Sequence, residues 1–172
     1  VTLCSKISYD NGQTWTKFNS NITGFPASQN PTLTYDSINK RALLVFTKVE
    51  VWLKDYDVWS MYTTDGITWS TPNYHLDDLL KTVPARDQTI PGPGNRVQLS
   101  IGKYKGRILM PVYYSECGTG NYTHPDCSAV IYSDDGGETF QSSTLPKSTN
   151  GWYQGMSEST IAEGKDGMII VN

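Results

Sequence analysis

The chain has 172 residues, of which 18% are charged, and a formal net charge of −3. Its four arginines lie far apart in the sequence, which argues against a nucleic-acid partner because phosphate binding requires clustered Lys and Arg. No apolar run approaches the roughly 20 residues of a membrane-spanning helix, and no signal peptide is visible. The chain begins at Val1 and ends within an apolar run at 168–172, so we expect it to be an internal piece of a longer protein.

Short runs of aliphatic and β-branched residues, separated by polar turns, recur along the chain. Such runs are typical of β-strands, and signals for helices are nearly absent. Only residues 76–80 have the composition of a turn or two of helix. The predicted strands cover residues 2–8, 31–36, 41–47, 58–62, 96–99, 107–113, 129–132, 160–162 and 168–171. The sequence therefore predicts an all-β fold.

An octet with the pattern Ser-x-Asp-x-Gly-x-Thr-aromatic punctuates these strands. It occupies residues 8–15 and 133–140, and a shorter copy ends at residues 65–69. Asp side chains close tight turns by accepting backbone N–H bonds, and Gly supplies the positive φ that a reversal needs. The expected turn clamps and reversal points are Asp10, Gly12, Asp65, Asp135 and Gly137.

The aromatic residue that closes each octet supplies a large apolar surface, which we expect to anchor the hairpin to its neighbours. These residues are Trp15, Trp69 and Phe140, separated by 54 and 71 residues. This spacing suits four-stranded blades with a long inserted loop, and thus a β-propeller of which the chain carries between two and three blades. A two-sheet sandwich is the structural alternative.

The cysteines and glycosylation motifs bear on the compartment of the protein. Cys117 and Cys127 flank a polar loop that a disulfide would close in an oxidising environment, and two buried thiols are the open alternative. Sequons begin at Asn21 and Asn121 and fit a secreted, lysosomal or cell-surface protein. The localisation stays open on these signals.

The sequence offers no metal or phosphate site. His75 and His124 lie far apart, and neither has a second His or Cys at ligand spacing. The segment Gly92-Pro93-Gly94 is too short and too rigid for a phosphate-binding loop. We therefore expect neither a metal nor a cofactor, and the acidic residues remain as candidates for chemistry.

Several segments together resemble the sialidase (neuraminidase) family. The octets resemble its Asp boxes, and the segments between them match it in order: Gln29-Asn30-Pro31, GPGNRVQL at 92–99, RILMPVYY at 107–114 and SESTIAE at 157–163. The resemblance implies a six-bladed propeller enzyme that releases terminal sialic acid, with retention, from glycoproteins, glycolipids or oligosaccharides. On this view residues 1–172 are a partial sialidase domain, truncated at both ends, whose partners are sialylated glycans.

The resemblance also implies a mechanism, in which an Arg triad grips the substrate carboxylate and an Asp is the acid/base. A Tyr, helped by a Glu, attacks the anomeric carbon, an exception among retaining glycosidases. That carbon already bears a carboxylate, so a carboxylate nucleophile would meet a repulsion of about several kcal/mol in a partly dry site. A phenol avoids this repulsion, but its pKa of about 10 requires a base beside it.

Four residues of this chain match functional positions of the family. Glu158 matches the Glu that activates the Tyr, and Asn30 matches a position that contacts the sugar near its acylamino group. Tyr113 matches a Tyr that lines the pocket by the glycerol tail, and Gln98 is expected to help shape that pocket. The alternatives are a solvated Glu at a strand end, a turn-forming Asn before Pro, and an ordinary strand aromatic.

Other catalytic positions of the family have no counterpart in the chain. Arg41 and Arg107 each open a strand after a turn, and we interpret them as scaffold. The first triad Arg and the acid/base Asp would precede Val1, and the remaining Arg residues and the Tyr would follow Asn172. Residues 1–172 alone are therefore predicted to be inactive on a fluorogenic sialoside. The alternative for the full-length protein is an inactive Asp-box propeller that binds glycans or proteins.

Overall fold

A computed structural model describes residues 3, 5–18, 28–49, 56–75, 86–116, 127–144 and 158–172. These residues form β-strands and no helix, so none of them belongs to a helix that could cross a membrane. The strands are β1 (Ser5–Ile7), β2 (Thr16–Phe18), β3 (Ser28–Asp36), β4 (Arg41–Val49), β5 (Tyr56–Thr63), β6 (Asn73–Tyr74), β7 (Arg86–Pro91), β8 (Val97–Gln98), β9 (Ile108–Glu116), β10 (Cys127–Ser133), β11 (Gln141–Thr144), β12 (Ile161–Glu163) and β13 (Ile169–Val171). The prediction of an all-β chain is confirmed.

Two antiparallel sheets, each four strands wide, form the centre of the structure, and we call them the first and second blade. In the first blade, β3, β4, β5 and β6 pair in sequence order. In the second blade, β7 and β8 pair with the two halves of β9. On its other side β9 pairs with β10, and β10 pairs with β11. The innermost strand of the second blade is thus interrupted at residues 92–96. One parallel bridge, between Tyr56 and Gln88, joins the two blades.

Apolar layers separate successive sheets. The cluster between the two blades consists of Leu43, Val45, Val58, Ile108, Met110, Val112, Ala129, Ile131 and Phe140. On the other face of the first blade, Leu44 and Phe46 pack against Leu3, which precedes the β1–β2 hairpin. On the other face of the second blade, Leu109 packs with Ile161 of the β12–β13 hairpin. Sheets stacked face to face in this order form a propeller rather than a two-sheet sandwich.

Each blade has two distinct ends. At one end β5 and β10 run into the octets, where Thr63 lies opposite Ala42 and Ser133 lies opposite Ile108. We call this the octet end. At the opposite end, here called the far end, lie the starts of β3 and β7 and the last residues of β9.

The strands predicted at 41–47 and 107–113 correspond to β4 and β9. Strand β7 was missed because its sequence RDQTIP is polar and ends in Pro, and partners distant in the chain form it. The candidate helical turn at 76–80, Cys117 of the candidate disulfide and the sequons at Asn21 and Asn121 lie outside the described residues.

Candidate functional site

A β-bulge in the innermost strand of the first blade shapes the position of Asn30. The register of β3 against β4 shifts between Gln29 and Thr32, which leaves one extra residue on β3. Asn30 lies in this bulge with a left-handed φ of 47°, a conformation that Asn tolerates better than most residues. Its Nδ2 donates to the Tyr113 hydroxyl at 2.8 Å and to the Pro91 carbonyl at 3.2 Å.

Tyr113, on β9 of the second blade, contacts Asn30 of the first blade. Its side chain is buried and packs against Val49 and Ile90. The Asn30 amide holds the phenol oxygen. The structure therefore joins two of the sequence-predicted residues, from two different blades, at the far end of the sheet.

Glu158 is linked to this pair through the 91–96 segment. The next residue, Ser159, is buried beside the 91–96 segment, and the amide of Ile161 donates to the Asn95 carbonyl at 3.3 Å. The Glu158 side chain itself is exposed. The 91–96 segment therefore bonds to Asn30 at its first residue and packs against the neighbour of Glu158.

Two glycines of this segment permit the close approach. A Cβ on Gly92 would lie 2.6 Å from the Ser159 carbonyl oxygen, and one on Gly94 would lie 2.6 Å from Cβ of Thr160. Only glycine allows backbones to come this close. Sequence reasoning dismissed the Gly-Pro-Gly segment as a phosphate loop and missed its role. The available signal was a pair of glycines that interrupts a strand.

Gln98 does not join this group. Its Oε1 accepts the backbone N–H and the hydroxyl of Ser37 at 2.8 and 2.7 Å. Its Nε2 donates to Asp36 and to the Gly106 carbonyl. Gln98 pairs with Ile108, five residues before Tyr113 on β9, which is about 16 Å away at the usual rise of a strand. Its amide holds a turn at the octet end, and its role in shaping the pocket stays a prediction.

The octet carboxylates lie in closed hydrogen-bond sets. Asp135 accepts the Ser133 hydroxyl at 2.7 Å, the Thr139 amide at 3.0 Å and the Thr139 hydroxyl at 2.6 Å. Asp10 accepts the equivalent three bonds from Ser8 and Thr14. Gly12 and Gly137, the expected reversal points, have φ values of 87° and 96°.

Hydrogen bonding lowers the pKa of these carboxyls. The hydroxyl of Thr14, its amide and the Ser8 hydroxyl hold the pKa of Asp10 at about 2. In the shorter copy, the amides of Thr68 and Ile67 and then the hydroxyl of Thr63 lower the pKa of Asp65 to about 2. These carboxylates are ionised acceptors that fix turns, and they do not approach Asn30.

The octet aromatics differ in environment. Phe140 is buried in the layer between the blades and meets the His75 ring edge-on at 4.8 Å. Trp69 is half-buried against the cluster that contains Leu3. Trp15 was expected to anchor the first hairpin, yet it is 60% exposed and its Nε1 donates to the Gly12 carbonyl at 3.1 Å. The described residues include no sheet that covers it.

Arg107 is held in place at the octet end. Its Nε and Nη2 donate to the two carboxylate oxygens of Asp134 at 2.7 Å. The guanidinium lies between the rings of Tyr104 and Tyr132, at 4.0 and 4.1 Å from their centroids. Such a bidentate, stacked arginine is a scaffold residue, as the sequence indicated.

Arg41 is the counterpart of Arg107 in the first blade. It stacks on Tyr62 at 4.0 Å and donates to the Gly136 carbonyl at 2.8 Å and to Glu138 at 3.0 Å. It therefore ties the first blade to the octet turn of the second.

Within the part of the chain that the structure describes, no group of three or more His, Cys, Asp or Glu could hold a metal ion.

No protein-family model matches the chain. Among solved structures, a Hadza microbial sialidase superposes with a TM-score of 0.72 at 18% identity, over 97% of this chain and 34% of its own. The intramolecular trans-sialidase from Ruminococcus gnavus gives 0.69 at 14% identity, over 96% of this chain and 57% of its own. A β-fructofuranosidase from Schwanniomyces occidentalis gives 0.54 at 17% identity, over 82% and 28%. The chain therefore has a β-propeller fold like that of these glycoside hydrolases, and it spans 34% and 57% of the two sialidase-type chains.

Proposed function

We propose that this chain is part of an exo-sialidase, a retaining glycoside hydrolase that releases terminal sialic acid from glycans. The observation that carries the proposal is the hydrogen bond between Asn30 and Tyr113, made next to Pro91. Residues that resemble the sugar-binding positions of sialidases thereby meet across two blades. The 91–96 segment links this point to the stretch that contains Glu158. The fold of the sialidase-type neighbours supports the same reading.

The orientation of the Asn30 amide gives it a specific role. Its amino group donates to Pro91 O, which only accepts hydrogen bonds, so the carbonyl Oδ1 must face the other way. Oδ1 makes no hydrogen bond with the described residues. An acceptor held in this way suits an N–H donor on the substrate, such as that of an acylamino group.

Glu158 has the role of the general base in this proposal. A carboxylate beside the nucleophilic Tyr takes the phenol proton as the oxygen attacks the anomeric carbon, which lowers the barrier to forming the glycosyl–enzyme bond. In this proposal the Tyr itself, the Arg triad and the acid/base Asp lie outside residues 1–172. The activity therefore belongs to the full-length protein, and residues 1–172 alone are predicted to be inactive.

The test is the substitution Glu158→Gln in the full-length protein, assayed with a fluorogenic sialoside. Because the base acts mainly in the transition state, we expect kcat to fall by about 10²- to 10⁴-fold, with a much smaller change in substrate affinity. The matched control is Glu163→Gln. The Glu163 carboxylate accepts the amide and hydroxyl of Ser100 at 2.8 and 2.7 Å, away from Asn30, and its loss should leave kcat within about twofold.

Two outcomes would contradict the proposal. A near-wild-type kcat for Glu158→Gln removes Glu158 from the mechanism. No cleavage of any sialoside by the wild-type full-length protein, combined with binding of sialylated glycans, supports the alternative of an inactive propeller that acts as a binding module.

A further inference from the structure

Arg96 is a buried cation that crosses from one blade to the other. It belongs to the 91–96 segment of the second blade, and only 8% of its surface is exposed. Its Nη2 donates to the carbonyl of Thr32 and, at 3.3 Å, to the carbonyl of Val45. Thr32 and Val45 lie opposite each other on β3 and β4, directly after the bulge. Arg96 therefore fastens the first blade at the point where its regular pairing resumes.

No carboxylate compensates this charge in the described part of the chain. Nε and Nη1 of Arg96 have no hydrogen-bond partner there. Burial lowers the pKa of Arg96 to about 9, so the group stays a cation at neutral pH. Burying a cation without a counter-charge is unfavourable, whereas burying an apolar side chain of similar size is favourable. Simple packing between the blades is therefore a poor explanation for an arginine here.

The bulge explains what the guanidinium accomplishes. Asn30 has a left-handed φ of 47°, which is unfavourable for a residue with a Cβ unless the surroundings hold it. The 91–96 segment contacts the bulge on both sides. Pro91 O accepts the Asn30 amide, and Arg96 holds the carbonyl of Thr32, two residues later.

We propose that Arg96 is a positioning residue for substrate binding, which holds the β3 bulge so that Oδ1 of Asn30 faces the sugar. The inference rests on the proposed function, because it takes Asn30 as a substrate contact. Arg96 itself does not touch the substrate. Its loss should therefore weaken binding through Asn30 alone.

A double-mutant cycle in the full-length protein tests this coupling. Arg96→Met removes the donors and keeps the length of the side chain, and Asn30→Gly removes the contact without straining φ. Each single variant should raise KM by about tenfold, the value of one hydrogen bond, with kcat within about twofold. The double variant should show no further rise. Arg107→Met is the matched control, since its guanidinium lies at the octet end, and it should leave KM unchanged.

If the two changes in KM multiply to about a hundredfold in the double variant, Arg96 acts on binding independently of Asn30, and this result overturns the proposal. If Arg96→Met does not fold, Arg96→Lys takes its place in the cycle, because it keeps the charge but not the planar fork of donors.

A crystal structure of the Arg96 variant separates the inference from the proposed function. A changed Asn30 φ and a broken bond to Tyr113 support the positioning role even if the wild-type protein cleaves no sialoside. An unchanged bulge overturns the role even if the protein is a sialidase.

Discussion

Gly92 and Gly94 set the distance between Ser159 and the 91–96 segment. Most of the atoms that an added Cβ would meet within 3 Å at these two positions belong to the backbone of Ser159 and Thr160. Backbone atoms cannot rotate away as a flexible side chain does. Any larger residue must therefore push the 91–96 segment away from Ser159 and Thr160, which follow Glu158 directly.

Gly94→Ala is expected to damage activity more than stability. A displacement of Glu158 by about 1 Å should lower kcat/KM of the full-length protein by about a hundredfold, measured with a fluorogenic sialoside. Gly164→Ala is the control, since its nearest neighbour would lie 3.3 Å from the new Cβ. Equal kcat/KM values for the two variants would show that the close approach does not position Glu158.

The family resemblance matched Asn30 and Tyr113 separately to the sugar pocket, and the structure adds the hydrogen bond between them. Gln98 shows the limit of reasoning from local sequence. It lies in a segment that resembles the family, yet its amide donates to Asp36, which is 62 residues away in the chain. Arg96 was counted only as one of the scattered arginines. Its hydrogen-bond partners, the carbonyls of Thr32 and Val45, are 64 and 51 residues away in the chain. No local sequence pattern predicts them.

The octet turns show how one set of bonds is made from different residues. Ser133 supplies the hydroxyl in one copy, and Thr63 supplies it in the shorter copy at 2.9 Å from Asp65. These bonds span at most four residues, so the sequence alone was enough to predict the turns. Strand β7 is the opposite case, because its ladder depends on β9.

Asp65→Asn should remove a pH-dependent part of the stability. The folded-state pKa of Asp65 is about 2, below the unfolded value of about 3.9. The ionised carboxylate therefore favours the folded state above about pH 3.9, and this contribution is lost as the pH falls towards 2. Thermal midpoints of the wild type and the variant should differ at pH 6 and converge near pH 2. A difference that stays constant over this range would contradict the assignment.

The apolar layers between sheets connect the octets to the stacking of the blades. Phe140 closes the octet of the second blade and is buried against Leu43 and Val45 of the first. Trp69, which closes the octet of the first blade, likewise packs against the neighbouring cluster that contains Leu3. The spacing of the octets was enough to predict stacked blades, but not which aromatics are covered, since that depends on the neighbouring sheet.

Phe140→Ala should destabilise the protein much more than Trp15→Ala. The first substitution empties a fully buried site and should lower the free energy of unfolding by about 3–5 kcal/mol. The second removes a ring that is 60% exposed and should cost within about 0.5 kcal/mol if the ring is also open in the full-length protein. Urea denaturation of both variants measures the difference. A large loss for Trp15→Ala would show that a further part of the protein covers this ring.

The separation of the two blade ends has a practical consequence for immobilising the protein. Ile67 is 45% exposed in the octet turn of the first blade, at the end of the sheet opposite Asn30 and Tyr113. A bead, electrode or dye coupled to Ile67→Cys would leave the far end directed into solution. On the proposed function, glycans displayed on a cell or a polymer would then reach Asn30 without meeting the support.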